Sequence, residues 1–142
     1  SPAEVASWRD SEPLRLPPGV APEFLDRLDV RPVTGFPHSR ATPPEAIGWV
    51  SPPEGVEPHP AVVAALVDAW WPGALVALPA PRPLATLAFH ADLLGVPSDR
   101  SPLLHRGRLL AAREGYAVET RELWSESGRL LVHNQQTIVI IR

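Results

Sequence analysis

The chain has 142 residues, a formal net charge of −3 and no cysteine. Such a length suits one domain and lets about 68% of the unfolded chain's surface be buried, enough for a core without disulfides. A mildly acidic balance argues against a nucleic-acid footprint or a polybasic membrane patch; no apolar run approaches the roughly 18 residues of a membrane span, and no signal peptide is visible.

The first residue is Ser rather than Met, as in a processed, trimmed or subcloned chain, and a cytoplasmic location is the default expectation. Ser1 to Pro22 reads as a linker or arm, because Pro13, Pro17, Pro18, Gly19 and Pro22 oppose regular structure while Leu14 and Leu16 can dock onto a surface. Such a segment looks like the middle of something longer, and residues 23–142 are expected to form the domain.

Phe24 to Val33 reads as a first strand, with Pro32 marking an edge or an end. Thr34 to Pro44 is loop. Ala46 to Val50 is a short strand, followed by the turn Pro52-Pro53-Glu54-Gly55. The run His59 to Trp71 predicts the central helix: Pro60 suits its first turn, and Pro72-Gly73 stops it. Val62, Val63, Leu66 and Trp70 share one face at helical spacing, with Ala61, Ala64, Ala65 and Asp68 on the other. A helix so apolar all round is expected to be buried on nearly all sides.

Ala74 to Leu78 is a short apolar stretch of ambiguous type, and Pro79 to Pro83 a rigid extended connection. Strands then follow one another. Leu84 to Leu94 places Leu87, Phe89 and Leu93 on one face and Thr86, His90 and Asp92 on the other. Val96 to Pro102 is a turn. Leu103 to Arg113 and Tyr116 to Trp124 are strands hinged at Glu114-Gly115, and Ser125-Glu126-Ser127-Gly128 is a hairpin turn. Leu130 to Ile141 is the last strand, and its Ile138-Val-Ile-Ile141 end reads as central or doubly covered. Strand, strand, buried helix and four hairpin-joined strands make an α+β architecture, an antiparallel sheet wrapped around one long helix.

Three positions contrast with their surroundings. Asp68 is the only charge on the helix, and a carboxylate there is costly unless it is hydrogen-bonded or does chemistry. Thr86 sits in the strand after the helix. In the last strand, Asn134 and Gln136 share a face with Val132 and Ile138, so their amides need partners. A carboxylate that takes a proton from water, with an amide and a hydroxyl directing that water, would suit hydrolysis. The competing readings are an Asp68 that emerges into solvent, a Gln136 that is a satisfied core amide, and a Thr86 that is simply a good strand residue. The five histidines (His38, His59, His90, His105 and His133) show no metal-ligand spacing, and no serine sits in a nucleophile elbow. His90 with Asp68 would suit hydration or dehydration chemistry. Trp49, Trp70 and Trp71 read as core, or as an aromatic wall beside Asp68.

The run from Pro58 to Ile141 resembles the C-terminal hotdog domain of the acyl-CoA thioesterase II family, the double-hotdog thioesterases. The resemblance rests on ALVDAWWPG (Ala65–Gly73), LATLAFH (Leu84–His90) and ELWSESGRLLVHNQQ (Glu122–Gln136). The stretch His90-Ala-Asp-Leu-Leu-Gly departs from the family's aromatic-basic-Pro pattern at that point. Family members use an Asp on the hotdog helix, a Thr or Ser on the following strand and a Gln on the last strand, which fall here on Asp68, Thr86 and Gln136. The resemblance implies a hotdog fold and cofactor-free hydrolysis of an acyl-CoA thioester by a water held between those three side chains. It also implies a partner, because one hotdog leaves a strand edge and a helix face uncovered: a second copy, or an N-terminal hotdog for which Ser1–Pro22 would be the linker. The alternatives are a non-catalytic hotdog that binds acyl groups or scaffolds a partner, and a hydratase or dehydratase using Asp68 and His90.

Overall fold

The structure, a computed structural model, describes residues 1–17, 19 and 22–141, so Pro18, Val20 and Ala21 of the arm lie outside the described residues. Six strands, β1 (Asp29–Thr34), β2 (Glu45–Ser51), β3 (Leu84–Leu93), β4 (Leu103–Arg113), β5 (Tyr116–Trp124) and β6 (Leu130–Ile140), form one antiparallel sheet in the order β1-β2-β4-β5-β6-β3. Two helical segments, α1 (Pro60–Asp68) and α2 (Gly73–Ala77), lie against it. This is the hotdog arrangement expected above, and the last three strands fall within a residue of the sequence reading. β6 is a central strand, between β5 and β3, as the reading of its C-terminal end allowed.

Among the described residues, the arm forms isolated 3₁₀ turns, Pro2–Glu4 and Trp8–Asp10, and it follows the sheet. The Leu14 amide donates to the Val30 carbonyl at 2.7 Å, the Trp49 indole N–H donates to the Ala6 carbonyl at 2.8 Å, and Arg31 Nη1 donates to the Trp8 carbonyl at 3.1 Å. Leu14 packs onto the core, whereas Leu16 is exposed.

The first strand is shorter than the sequence suggests. Glu23–Arg27 winds into 3₁₀ turns, and β1 begins only at Asp29. Leu25 and Leu28 are three apart, a spacing that eclipses them in a 3₁₀ turn and sets both against the core. The period of three here overrides the alternation. Pro32 lies in β1, an edge strand, as its missing N–H requires, and a bulge follows it between Pro32 and Thr34.

The central helix also ends earlier than expected, at Asp68 rather than Trp71. Pro72 has no N–H to give the Asp68 carbonyl four residues before it, so the ladder stops one turn ahead of the proline. The chain restarts as α2 from Pro72. The His59 ring caps the start of α1, its Nδ1 accepting the Ala61 amide at 3.1 Å. Taken together, Pro60–Ala77 has the length and apolar composition of a membrane-crossing helix, contrary to the reading that no run approaches that length. It is broken at its middle and laid on the sheet.

Only one side of α1 is buried. Val63, Leu66 and Val67, with Trp70 beyond them, pack against Val50, Leu103, Leu123, Leu131 and Val132. Ala61, Ala65 and Asp68 are exposed, which corrects the expectation of burial all round.

The core is set tightly at Gly48 of β2. An added Cβ there would lie 2.4 Å from Trp70 Cη2 and 2.6 Å from the Arg31 carbonyl oxygen. Gly48→Ala is therefore expected to lower the unfolding free energy by about 1–3 kcal/mol through overpacking. At Gly95, where the nearest atoms to an added Cβ are 3.8 Å away, alanine is expected to change stability by about 0.5 kcal/mol or less. Urea denaturation of the two variants checks the contrast.

Candidate functional site

The early end of α1 leaves its last carbonyls without helical partners, and side chains from β4 and β5 take them. His105 Nε2 lies 3.1 Å from the Val67 carbonyl oxygen. Arg121 Nη1 donates to the carbonyls of Asp68, at 3.3 Å, and Val67, at 3.5 Å. The same Arg121 nitrogen lies 3.1 Å from Asp68 Oδ1. The helix end and its carboxylate are thus held by one guanidinium.

Around that carboxylate the three residues singled out in the sequence come together. Gln136 Nε2 donates to Asp68 Oδ1 at 2.7 Å, and Thr86 Oγ1 donates to Gln136 Oε1 at 3.2 Å. Gln136 Nε2 also donates to Asn134 Oδ1 at 3.0 Å, and Asn134 Nδ2 donates to the His90 carbonyl on β3 at 2.7 Å. Both amide hydrogens of Gln136 are therefore in use, and the amide has a single orientation. Asp68 Oδ1 receives two donors, while no protein donor among the described residues reaches Oδ2. The Asp68 side chain is 52% exposed, whereas Gln136 and Asn134 are fully buried.

Thr86 reaches Gln136 because β3 carries a bulge. Thr86 pairs with Ile138 and Ala88 with Thr137, so Leu87 is the extra residue. The slip puts Thr86 on the helix side together with Phe89, which pairs with Gln136, and turns His90 to the opposite face, beside Gln135. Strict alternation had grouped His90 with Thr86, and the bulge breaks that grouping. The His90 ring is exposed and lies 3.3 Å from Asp92. It does not join Asp68, so the structure gives no support to a hydratase or dehydratase pair of Asp68 and His90.

Two open grooves meet at Asp68, Ala69 and Thr86. One, of about 830 Å³, runs along the exposed side of α1 past Ala61, Ala65 and Phe89. The other, of about 800 Å³, passes Trp70, Trp71, Leu75 and Leu84 and reaches Arg82. Trp70 and Trp71 thus serve both core and wall, and the Trp71 indole N–H is tied to the Gly35 carbonyl at 2.8 Å. Among the described residues no group of three or more His, Asp or Glu side chains gathers as a metal site.

Sequence reasoning missed Arg121, Glu119 and His105. On β5 the inward positions are Ala117, Glu119, Arg121 and Leu123, all buried. Two charges on the apolar face of an alternating strand were the available signal. Glu119 Oε1 accepts from Arg121 Nε at 2.6 Å, with side-chain exposures of 0% and 3%. His105 is stacked on Trp70 with ring centroids 5.1 Å apart. Burial, aided by the Arg121 charge and partly offset by the Val67 carbonyl, pushes its pKa down to about 3. The ring is neutral and donates through Nε2.

A family model described as acyl-CoA thioesterase C-terminal domain matches residues 2–140. No curated protein matches the sequence. Among solved structures, a conserved protein of unknown function with a hot dog fold from Alicyclobacillus acidocaldarius is 25% identical, with a TM-score of 0.82 over 97% of this chain and 53% of that one. A tesB protein from Mycobacterium avium subsp. paratuberculosis is 15% identical, with a TM-score of 0.71 over 92% and 55%. The smu.793 protein of Streptococcus mutans UA159, solved bound to acetyl CoA, is 15% identical, with a TM-score of 0.59 over 78% and 87%. The chain thus spans about half the length of the first two.

Two outcomes follow from the buried charges. Unfolded His105 titrates near its ordinary pKa of about 6.5, so between that pH and about 3 the unfolded state binds a proton that the native state does not. The unfolding free energy is expected to fall on acidification through this window by up to about 1.4 kcal/mol per pH unit. His105→Gln is expected to flatten that slope in urea titrations. Arg121→Met strands the Glu119 carboxylate and is expected to cost about 3–5 kcal/mol, while Glu119→Met/Arg121→Met loses less, keeping only the cost of the uncapped end of α1. Thermal denaturation compares them.

Proposed function

The chain belongs to the acyl-CoA thioesterase C-terminal domain family, and from that premise we propose that it hydrolyses acyl-CoA thioesters with Asp68 as general base. The observation that carries this reading is the division of labour within the Asp68 carboxylate. Oδ1 is held by Gln136 and Arg121, while Oδ2 is left to accept from water.

Gln136 acts on Asp68 rather than on the water, because both its amide hydrogens are already committed. The Thr86 hydroxyl gives its hydrogen to Gln136 and so offers only lone pairs outward. A water between Asp68 Oδ2 and Thr86 Oγ1 then donates one hydrogen to each and turns a lone pair toward a thioester placed where the two grooves meet. Asp68 takes the proton as the water oxygen bonds to the carbonyl carbon. The tetrahedral intermediate collapses by breaking its C–S bond, and the departing thiolate takes that proton. The two grooves give the acyl chain and the pantetheine arm separate paths away from the reacting carbon.

A second hotdog domain is part of this proposal. The edge strand β3 carries exposed Leu87, Phe89 and Leu93, and Phe89 borders the exposed alanines of α1 along one groove, so an apolar surface runs from strand edge to helix. A partner seated there would narrow the groove along α1. Without one, the half-exposed Asp68 fits the alternative of a non-catalytic hotdog that binds acyl groups or scaffolds another chain.

Thiol release from short-, medium- and long-chain acyl-CoAs, with protein shown to be folded and paired, tests the reading. Asp68→Asn is expected to lower turnover by about 10²-fold or more, the scale of a lost positioned base. Absence of release at every chain length, or an Asp68→Asn variant that matches the unaltered protein, would overturn the proposal.

A further inference from the structure

Glu119 has no part in that reaction, yet it is a fully buried carboxylate whose Oε2 has no hydrogen-bond partner. An arrangement so costly needs a physical reason. Its location supplies one. Glu119 pairs directly across the strand with Gln136, and its neighbour on the same face, Arg121, pairs with Asn134. The sheet thereby sets Glu119, Arg121 and Asp68 in a row, with Arg121 Nε on Glu119 at 2.6 Å and Arg121 Nη1 on Asp68 at 3.1 Å.

An arginine bound to Asp68 alone would be a poor companion for a base. A full cation about 3 Å from a carboxylate in a partly dry site stabilises its ionised form and weakens its pull on a proton. Asp68 still needs Arg121, because that guanidinium also ties the end of α1 to β5. From the shared guanidinium we infer that Glu119 is a positioning residue for the reaction: it draws on Arg121 from the far side, so that the arginine fixes Asp68 in place without quenching its basicity. The inference rests on the proposed role of Asp68 as base.

The other charged or titratable groups around Asp68 do not supply this balance. His105 of β4 is neutral. Arg82 and His38 line the second groove, and Arg27, on the turn before β1, lines the first. From β3 and β6 the facing groups are Thr86, Asn134 and Gln136, all uncharged. Among the described residues, Glu119 is thus the one buried anion in contact with Arg121.

The test is the pH profile of kcat/KM for thioester hydrolysis, which reports the free enzyme. The ionised base is the active form, so the rate rises with pH on the acid limb. Glu119→Gln keeps the shape and a hydrogen-bond acceptor but deletes the charge. It is expected to move that limb to lower pH by about one unit and to lower the plateau, because a less compensated Arg121 makes a weaker base. Glu119→Asp is expected to restore the limb toward its original position.

A purely structural Glu119 would change thermal stability and leave the limb where it was, and that result overturns the inference. Should Glu119→Gln not fold, Glu119→Gln/Arg121→Gln removes both charges from the interior, a change that buried pairs tolerate. Its limb is expected close to that of the unaltered protein, since the two opposing charges are lost together, and a limb moved to higher pH by about a unit or more, the mark of an arginine that nothing had offset, overturns the inference. Failure of the catalytic reading itself looks different: no turnover, or turnover that persists in Asp68→Asn.

Discussion

The absence of one backbone hydrogen, at Pro72, governs the centre of this molecule. Because that N–H is missing, the Asp68 carbonyl has no helical donor, and α1 ends at Asp68 with the carbonyls of Val67 and Asp68 turned inside the fold. Carbonyls left bare in an interior cost free energy, and they are met by His105 and Arg121, each from a different strand. A buried arginine then needs a counter-charge, which is Glu119. A buried imidazole needs to be neutral, which it is. Much of the unusual chemistry of the sheet's inner face follows from how the helix stops.

The polar cluster that results is economical in its use of donors. Gln136 spends its amide on Asp68, Asn134 and Thr86, and Asn134 spends the remainder on the β3 backbone. Three strands and a helix end are thereby locked at one point, and the lock leaves a carboxylate oxygen facing a groove. Stability and reactivity are therefore not separable here, since the bonds that orient Asp68 also hold β3, β5 and β6 against α1.

Sequence alone carried much of this. The last three strands, the helix start at Pro60 and the exceptional character of Asp68, Thr86 and Gln136 were legible, because period, turn chemistry and polarity contrast are local signals. The early end of α1 was legible in principle, but the proline was read as a stop at its own position rather than one turn earlier. Glu23–Arg27 was misread because a period of three and a period of two overlap in a short segment. The bulge at Leu87 was invisible, since an extra residue leaves no mark in composition, and with it went the side on which His90 lies. Arg121 and Glu119 went unseen because their meaning depends on a helix terminus more than fifty residues away in sequence.

The two free margins of the sheet are not alike. β1 has its outer backbone engaged by the arm through Leu14 and Val30, and it carries Pro32 and an irregular register beside it. β3 has a bulge at Leu87 but, among the described residues, neither a proline nor an arm bonded to it along its ten residues. An open sheet with two sticky margins can polymerise without limit, whereas one with a single sticky margin can join only like to like. Strand-to-strand growth that began at β3 would therefore stop after one step. The arm and Pro32, which lie at the opposite margin from β3, would then set a closed pair apart from a fibre.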